Sequence, residues 1–409
     1  MITLAGCVTS PQMRGGANAP PTLGSRYRGP EMSSTAPAGR GVAMLAPLTG
    51  PNAERGQAMV RAAQMALAGP GSPPLDVHDT QGTAAGAAAA ASQAIAAGAG
   101  LLLGPLTAIE TTGAAGPARS AGVGMLAFTS DPAQAQPGVW VLGITPAQQV
   151  RRLVAAATVQ GKQRFAAVLP DTDFGRAMAS ALTQAIEAAG VSPPAIRFHT
   201  GAMASMNATV RDLSGYAGRR GPIDVQIKAA RAQRDADGRR RAEELTRTSI
   251  PPPNFDVLLL ADTGDRLTAL TSVLPYYDID PANVRIIGPA LWGSAQGRGD
   301  AALSGAWYAA PDPAARAAFD QAYNAAHGTS APGVADFAYD AGAMAKALAA
   351  EGGFSTASLC RPEGFNGVDG ILALQPDGTV RRGLAVFELQ RDGPIAIDPA
   401  PETVNASGT

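Results

Sequence analysis

The chain has 409 residues, 46% of them hydrophobic, enough to bury one large core or two medium ones. Charged residues make up 16% and the formal net charge is -1, a balance that argues against a nucleic-acid binder, which shows a basic excess on one face. Two cysteines (Cys7, Cys360) and three histidines (His78, His199, His327) in unrelated contexts give neither a disulfide framework nor a metal site, and no apolar run reaches the roughly 18 residues that span a bilayer.

The sequence begins MITLAGC. Leu4 to Cys7 resembles the box that precedes the lipidated cysteine of bacterial lipoproteins, where small residues give a peptidase an unhindered backbone. The resemblance implies a lipid on Cys7 and a leader longer than the six residues printed before it. Residues 8–40 are rich in Pro, Gly, Ser and Ala without an apolar period, and read as a disordered tether.

Beyond the tether, short apolar runs alternate with helical spacing. Strands are expected at Gly41–Leu48, Leu75–Thr80, Gly100–Gly104, Val123–Thr129 and Trp140–Ile144, with helices at Asn52–Leu67, Thr83–Ala97 and Ile109–Ser120 between them. This is the βαβ pattern of a parallel sheet covered on both faces. The pattern restarts at Pro146 with a helix to Gln160, and continues with strands at Arg164–Pro170, Ala195–His199, Val257–Ala261 and Arg285–Gly288 and helices at Gly175–Ala189 and Asp265–Leu274. Between them, residues 207–254 read as an Arg-rich insertion. Its Arg239–Arg241 run is flanked by Asp235, Asp237, Glu243 and Glu244, which fits either a solvated helix with internal ion pairs or a docking element for a partner. A strand at Gly305–Ala309, helices at Ala314–His327 and Val334–Ala350, and a hairpin of Gly370–Leu374 with Leu384–Leu389 around PDGT complete the pass.

Five blocks carry a resemblance: APLTGPNAERGQAMVRAAQMAL (46–67), LLLGPLTAIETT (101–112), AGVGMLAFTSDP (121–132), FAAVLPDTDFGRAM (165–178) and VDGILALQPDGTVRRGLAVFEL (368–389). In this order they resemble the type I periplasmic binding proteins of the leucine-binding branch, over about Gly41 to Leu389. Within that group the chain looks most like the penicillin-binding protein activators. The implied fold is α/β: two Rossmann-like lobes with parallel sheets joined by a multi-crossover hinge. Lobe 1 is expected at 41–145 plus 305–361, lobe 2 at 146–304 plus 362–389, and a C-terminal tail at 390–409.

The resemblance also implies a site. In the family, Ser/Thr hydroxyls and backbone N–H groups at the ends of lobe-one strands hold a ligand carboxylate; here Thr107, Thr129 and Ser130 match, and each reads equally as a helix cap. Lobe two supplies an aromatic lid and an acid for the ammonium. Phe174 takes the lid position without a hydroxyl and Trp292 stands where an acid is usual, a pair that suggests stacking on a flatter or sugar-like ligand or a filled cleft; Asp173, Asp262 and Asp265 could substitute for the acid, with capping the simpler reading for Asp265. An ammonium closed in without a partner would cost about 1–3 kcal/mol, so free leucine is expected to bind no tighter than ~0.1 mM, about -5.5 kcal/mol.

No nucleophile elbow, P-loop or dinucleotide fingerprint is present, so an enzyme is not expected, nor a cofactor or metal. The implied function is a lipid-anchored periplasmic regulator of peptidoglycan synthesis on the outer membrane rather than the inner, with a peptidoglycan synthase as partner. The alternative is the solute receptor of an ABC importer, with a small molecule in the interlobe cleft.

Overall fold

The computed structural model describes residues 41–293 and 303–403. Cys7 and the tether at 8–40 lie outside the described residues.

The first half begins with β1 (Gly41–Ala46), α1 (Ala53–Ala66), β2 (Leu75–Asp79), α2 (Ala84–Ala96), β3 (Ala99–Leu103), α3 (Ala108–Ser120), β4 (Gly124–Ala127) and β5 (Val139–Val141). Its strands form one parallel sheet of order β2-β1-β3-β4-β5. Residues 101–103 and 124–127 are buried throughout. That explains the unbroken apolar runs, because a strand covered on both faces has no polar side.

The chain then crosses into α4 (Pro146–Val159), β6 (Phe165–Pro170), α5 (Asp173–Ala188), β7 (Ala195–His199), α6 (Met203–Leu213), α7 (Tyr216–Ala232), α8 (Ala236–Thr246), β8 (Val257–Leu260), α9 (Gly264–Val273), β9 (Arg285–Gly288) and β10 (Trp307–Ala310). It continues with α10 (Pro313–His327), α11 (Gly333–Ala350), α12 (Thr356–Leu359), β11 (Phe365–Gly367), β12 (Gly370–Leu374), β13 (Val380–Arg382), β14 (Ala385–Gln390) and β15 (Gly393–Asp398). The second sheet has seven strands in the order β15-β14-β10-β9-β8-β6-β7. It is parallel from β7 to β10, and β14 and β15 are added antiparallel.

Three segments depart from the expected division. The strand at 307–310 pairs with β9 and β14, so it belongs to the second sheet and not to lobe 1. Conversely, Phe365, Leu372, Leu374 and Val380 pack in the core of the first lobe, so 362–382 does not belong to lobe 2. The PDGT hairpin joins β12 to β13 and not to the 384–389 run, which pairs with β10 and β15. Part of the expected tail is therefore strand β15. The hairpin docks on β5: Trp140 Nε1 donates to the Gln375 carbonyl at 2.7 Å and Val141 N–H to the Gly378 carbonyl at 3.2 Å. Gly378 is required there, since φ is +89° and a Cβ would fall 2.3 Å from Gln136 N.

The chain thus passes between the sheets after β5, after β10 and after β13. Arg382, at the third passage, is buried and donates Nη2 to the Leu142 carbonyl at the first, at 3.0 Å. Its Nη1 lies 3.9 Å from both Asp340 and Asp369. Burial pushes the Asp340 carboxyl up to about 7, against the pull of Arg382. Burial likewise raises Asp336 to about 7 despite its 2.6 Å bond from Arg316 Nε.

The interruption at 207–254 resolves into two parts. α6 is the ordinary crossover helix from β7 to β8, with Met206 and Val210 in the second lobe's core. α7 and α8 form an added hairpin with its own small apolar contact. No helix among the described residues is long and apolar enough to cross a membrane.

Candidate functional site

In both sheets the chain steps outward and then returns to the other side of the first strand: β1 to β2 and back to β3, β6 to β7 and back to β8. The loops after β1 and β3, and after β6 and β8, open at these reversals, where α/β folds bind ligands. Thr107 follows β3, Phe174 follows β6 and Asp262 follows β8. Thr129 and Ser130 follow β4, and Trp292 follows β9, one strand further along each sheet.

Thr107 is the N-cap of α3 and is already engaged. Its hydroxyl donates to Glu110 Oε2 at 2.6 Å, its N–H donates to the same oxygen at 2.9 Å, and the Glu110 N–H returns to the hydroxyl at 3.3 Å. This is a complete capping box. Glu110 is fully buried, and its other oxygen accepts from the buried Thr80 hydroxyl. The positive end of α3 therefore faces an internal carboxylate. A second ligand carboxylate brought to Thr107 would meet that charge. The spacing T-x-x-E in TAIE is the sequence signal for Glu110.

The remaining lobe-one loops are similarly tied. Asp79 accepts from Leu48 N–H at 2.9 Å, Thr49 Oγ1 at 2.8 Å and Gln81 N–H at 2.8 Å, joining the loop after β1 to the loop after β2. Partial burial acts to raise the Asp79 carboxyl, but these bonds hold it below its ordinary range. Thr129 is buried and accepts the Asp131 N–H at 3.1 Å. Ser130 is exposed.

On the second lobe, Phe174 is half-buried at the start of α5 and packs against the core beneath it. Arg176 bridges Asp171 and Asp173 on the exposed first turn of the same helix. Asp262 does not replace an ammonium partner at the surface. It is buried, and its Oδ2 lies 2.9 Å from His199 Nε2, with both side chains fully enclosed. His199 Nδ1 accepts the Gly201 N–H at 3.1 Å, so the ring proton is on Nε2 and is donated to Asp262. The second oxygen, Oδ1, is buried without a hydrogen-bond partner among the described residues.

Trp292 also departs from expectation. It is 1% exposed and lies in the core of the second lobe. Its Nε1 donates to the Asp262 carbonyl at 3.0 Å, and a Cβ at Gly288 would fall 2.3 Å from its ring. It therefore offers no stacking face. Its neighbour Leu291 is the exposed side chain of that turn, at 57%, and Ile109 on the first turn of α3 is 61% exposed. Both are apolar groups just beyond strand ends, and neither carries a sequence signal of its own.

A family profile described as "Periplasmic binding protein" matches residues 41–394. No curated protein sequence matches the chain. Among solved structures, a protein described as a branched-chain amino acid ABC transporter from Rhodospirillum rubrum superposes with a TM-score of 0.63 at 18% identity, over 87% of this chain and 99% of that one. The C-domain of LpoA from Haemophilus influenzae, described as a regulator of PBP1A, superposes with a TM-score of 0.61 at 18% identity, over 87% and 99%. Against full-length LpoA from the same organism the TM-score is 0.61 at 17% identity, and the chain spans 59% of that protein.

Proposed function

The chain belongs to the periplasmic binding protein family, and from that premise we propose that it is a non-catalytic envelope protein that regulates peptidoglycan synthesis by binding a synthase. Membership implies a periplasmic location. The fold is shared with an importer protein and with the C-domain of a PBP1A regulator alike, so the choice rests on the site.

The observation that carries the reading is the buried Glu110, which takes both the hydroxyl and the N–H of Thr107. A receptor for a zwitterion needs those donors for the ligand. Asp262 adds to this, since that candidate acid for the ammonium is enclosed and bonded to His199, and Asp173, a second candidate, is paired with Arg176. The groups that would orient an amino acid are used to hold the lobes' own loops. Ser130, Phe174, Ile109 and Leu291 add a hydroxyl and apolar groups at the strand ends, and the charged first turn of α5 is closed on itself by Arg176 with Asp171 and Asp173. Thr107, Thr129, Ser130, Phe174 and Asp262 remain the residues around which a small ligand would be sought, and Trp292 acts from beneath them.

The test pairs two assays. A bifunctional peptidoglycan synthase is expected to be retained on the immobilised chain, and free leucine, isoleucine and valine are expected to bind weakly or not at all. Submicromolar binding of any of the three, with no synthase retained, would overturn the reading in favour of an importer's receptor. The proposal includes a lipid on Cys7 that anchors the chain to the outer membrane. With the upstream leader restored, Cys7→Ser is expected to leave the membrane fraction; a variant that stays there would refute the anchor.

A further inference from the structure

The crossover from β7 to β8 needs one helix, and α6 supplies it. α7 and α8 contribute nothing to the lobe's core: Ile227, Ala230 and Ala242 bury one another, with Ile223 and Leu245 beside them. An extension that adds no core still costs ordering entropy. Its base is nevertheless firmly held. Arg219 donates to the carbonyls of Ser214, Pro251 and Tyr277 at 2.9, 2.6 and 2.7 Å, and Tyr216 meets Tyr277 edge to face at 5.2 Å. Those anchors follow α6 and precede β8 and β9, so the hairpin springs from the end of the sheet opposite the cleft.

Its charge is unlike that of the rest of the chain. Residues 216–248 hold nine basic and five acidic side chains, a net of +4, whereas the whole chain carries -1. Three acids are spent internally: Asp224 on Arg220, Asp237 on Arg240 and Glu243 on Arg247. Asp235 caps α8. Lys228, Arg231, Arg234, Arg239 and Arg241 are exposed and have no ion pair among the described residues. Arg231, Arg239 and Arg247 line one groove of about 430 Å³ together with Ala242, Glu243 and Thr246, and Glu243 is taken up by Arg247. Arg231 and Arg239 are left there without an acid among the described residues, and a bidentate carboxylate relieves their repulsion.

We infer that the α7–α8 hairpin is a docking surface for an acidic segment of a partner protein, received by Arg231 and Arg239 in the groove, with Arg241 adding positive charge from outside it. A membrane surface fits less well, because Val225 is the one large apolar side chain strongly exposed on the hairpin and no apolar face is available to insert. The inference rests on the reading that the chain acts through a protein partner, but its test does not use the synthase.

Binding of a labelled poly-L-glutamate peptide to the full chain, followed by fluorescence anisotropy, decides it. Arg231→Gln/Arg239→Gln/Arg241→Gln keeps good helix formers and is expected to weaken binding by about tenfold or more. The corresponding triple Lys variant keeps the charge and is expected to retain most of the affinity. Arg55→Gln/Arg266→Gln/Arg391→Gln, exposed elsewhere, is expected to change little. The inference is overturned if the Gln triple binds like the wild type, if the Lys triple loses as much as the Gln triple, if the distant triple loses as much, or if the wild type prefers anionic vesicles or duplex DNA to the peptide.

Discussion

Replacing Glu110 separates its structural role from any role in ligand binding. The carboxylate is fully buried and accepts three bonds, from the Thr80 hydroxyl, the Thr107 hydroxyl at 2.6 Å and the Thr107 N–H at 2.9 Å. In Glu110→Gln the amide oxygen can still serve Thr107 and the amide nitrogen can donate to Thr80. Only the charge assistance is lost, about 1–2 kcal/mol. In Glu110→Ala the buried Thr80 hydroxyl and the cap donors have no acceptor and a void opens, for a loss of about 3–4 kcal/mol. Urea unfolding followed by circular dichroism measures both. The chain should lose roughly twice as much with Ala as with Gln, and leucine affinity should not fall in Glu110→Gln, because a charge repelling the ligand carboxylate has gone. Equal losses, or losses below about 0.5 kcal/mol for Ala, would refute the buried-acceptor argument.

Other perturbations follow from the same structure. Trp292→Phe removes the bond to the Asp262 carbonyl and part of a buried ring, so it should cost about 1–3 kcal/mol in thermal unfolding while leaving cleft binding of any probe unchanged; a binding defect without a stability loss would contradict its place in the core. Gly378→Ala meets both a φ of +89° and a 2.3 Å approach, and the melting temperature should drop sharply, by about 3 kcal/mol of stability or more; a drop below about 0.5 kcal/mol would show that the turn does not seat on β5. Asp336 and Asp340 stand at about 7 in the fold against an ordinary 3.8. The fold therefore holds more protons than the unfolded chain between those values, and the stability these groups confer is full below 3.8 and lost as pH rises through about 7. The slope is at most about 1.4 kcal/mol per group per pH unit, and Asp340→Asn should make the decline shallower; an unchanged slope would place the titration elsewhere.

The alternation of strands and helices was legible because each βα unit carries its own period, and the boundaries from β1 to β9 fall within a few residues of those read from the spacing. Sheet membership was not legible. Gly305–Ala309 and Leu384–Leu389 are short apolar runs, and nothing in such a run states which sheet it joins; that is decided by long-range pairing of β10 with β9 and β14. The Arg-rich segment at 207–254 reads as an insertion, but residues 207–213 are the end of α6, whose Met206 and Val210 sit one turn apart for the core. At the site, Thr107 reads as donor or cap from its type alone, and only Glu110 three residues on resolves the choice. An aromatic after a strand reads equally as a lid or as core, and Trp292 proved to be core because Gly288 leaves room for its ring.

Calorimetric titration of the full chain with leucine tests the central claim most directly. With Thr107 held by Glu110 and Asp262 held by His199, the dissociation constant is expected to be ~0.1 mM or weaker, about -5.5 kcal/mol at best. A submicromolar constant would contradict the account, since it would require the cleft to supply a carboxylate donor set and an ammonium partner that these bonds already occupy.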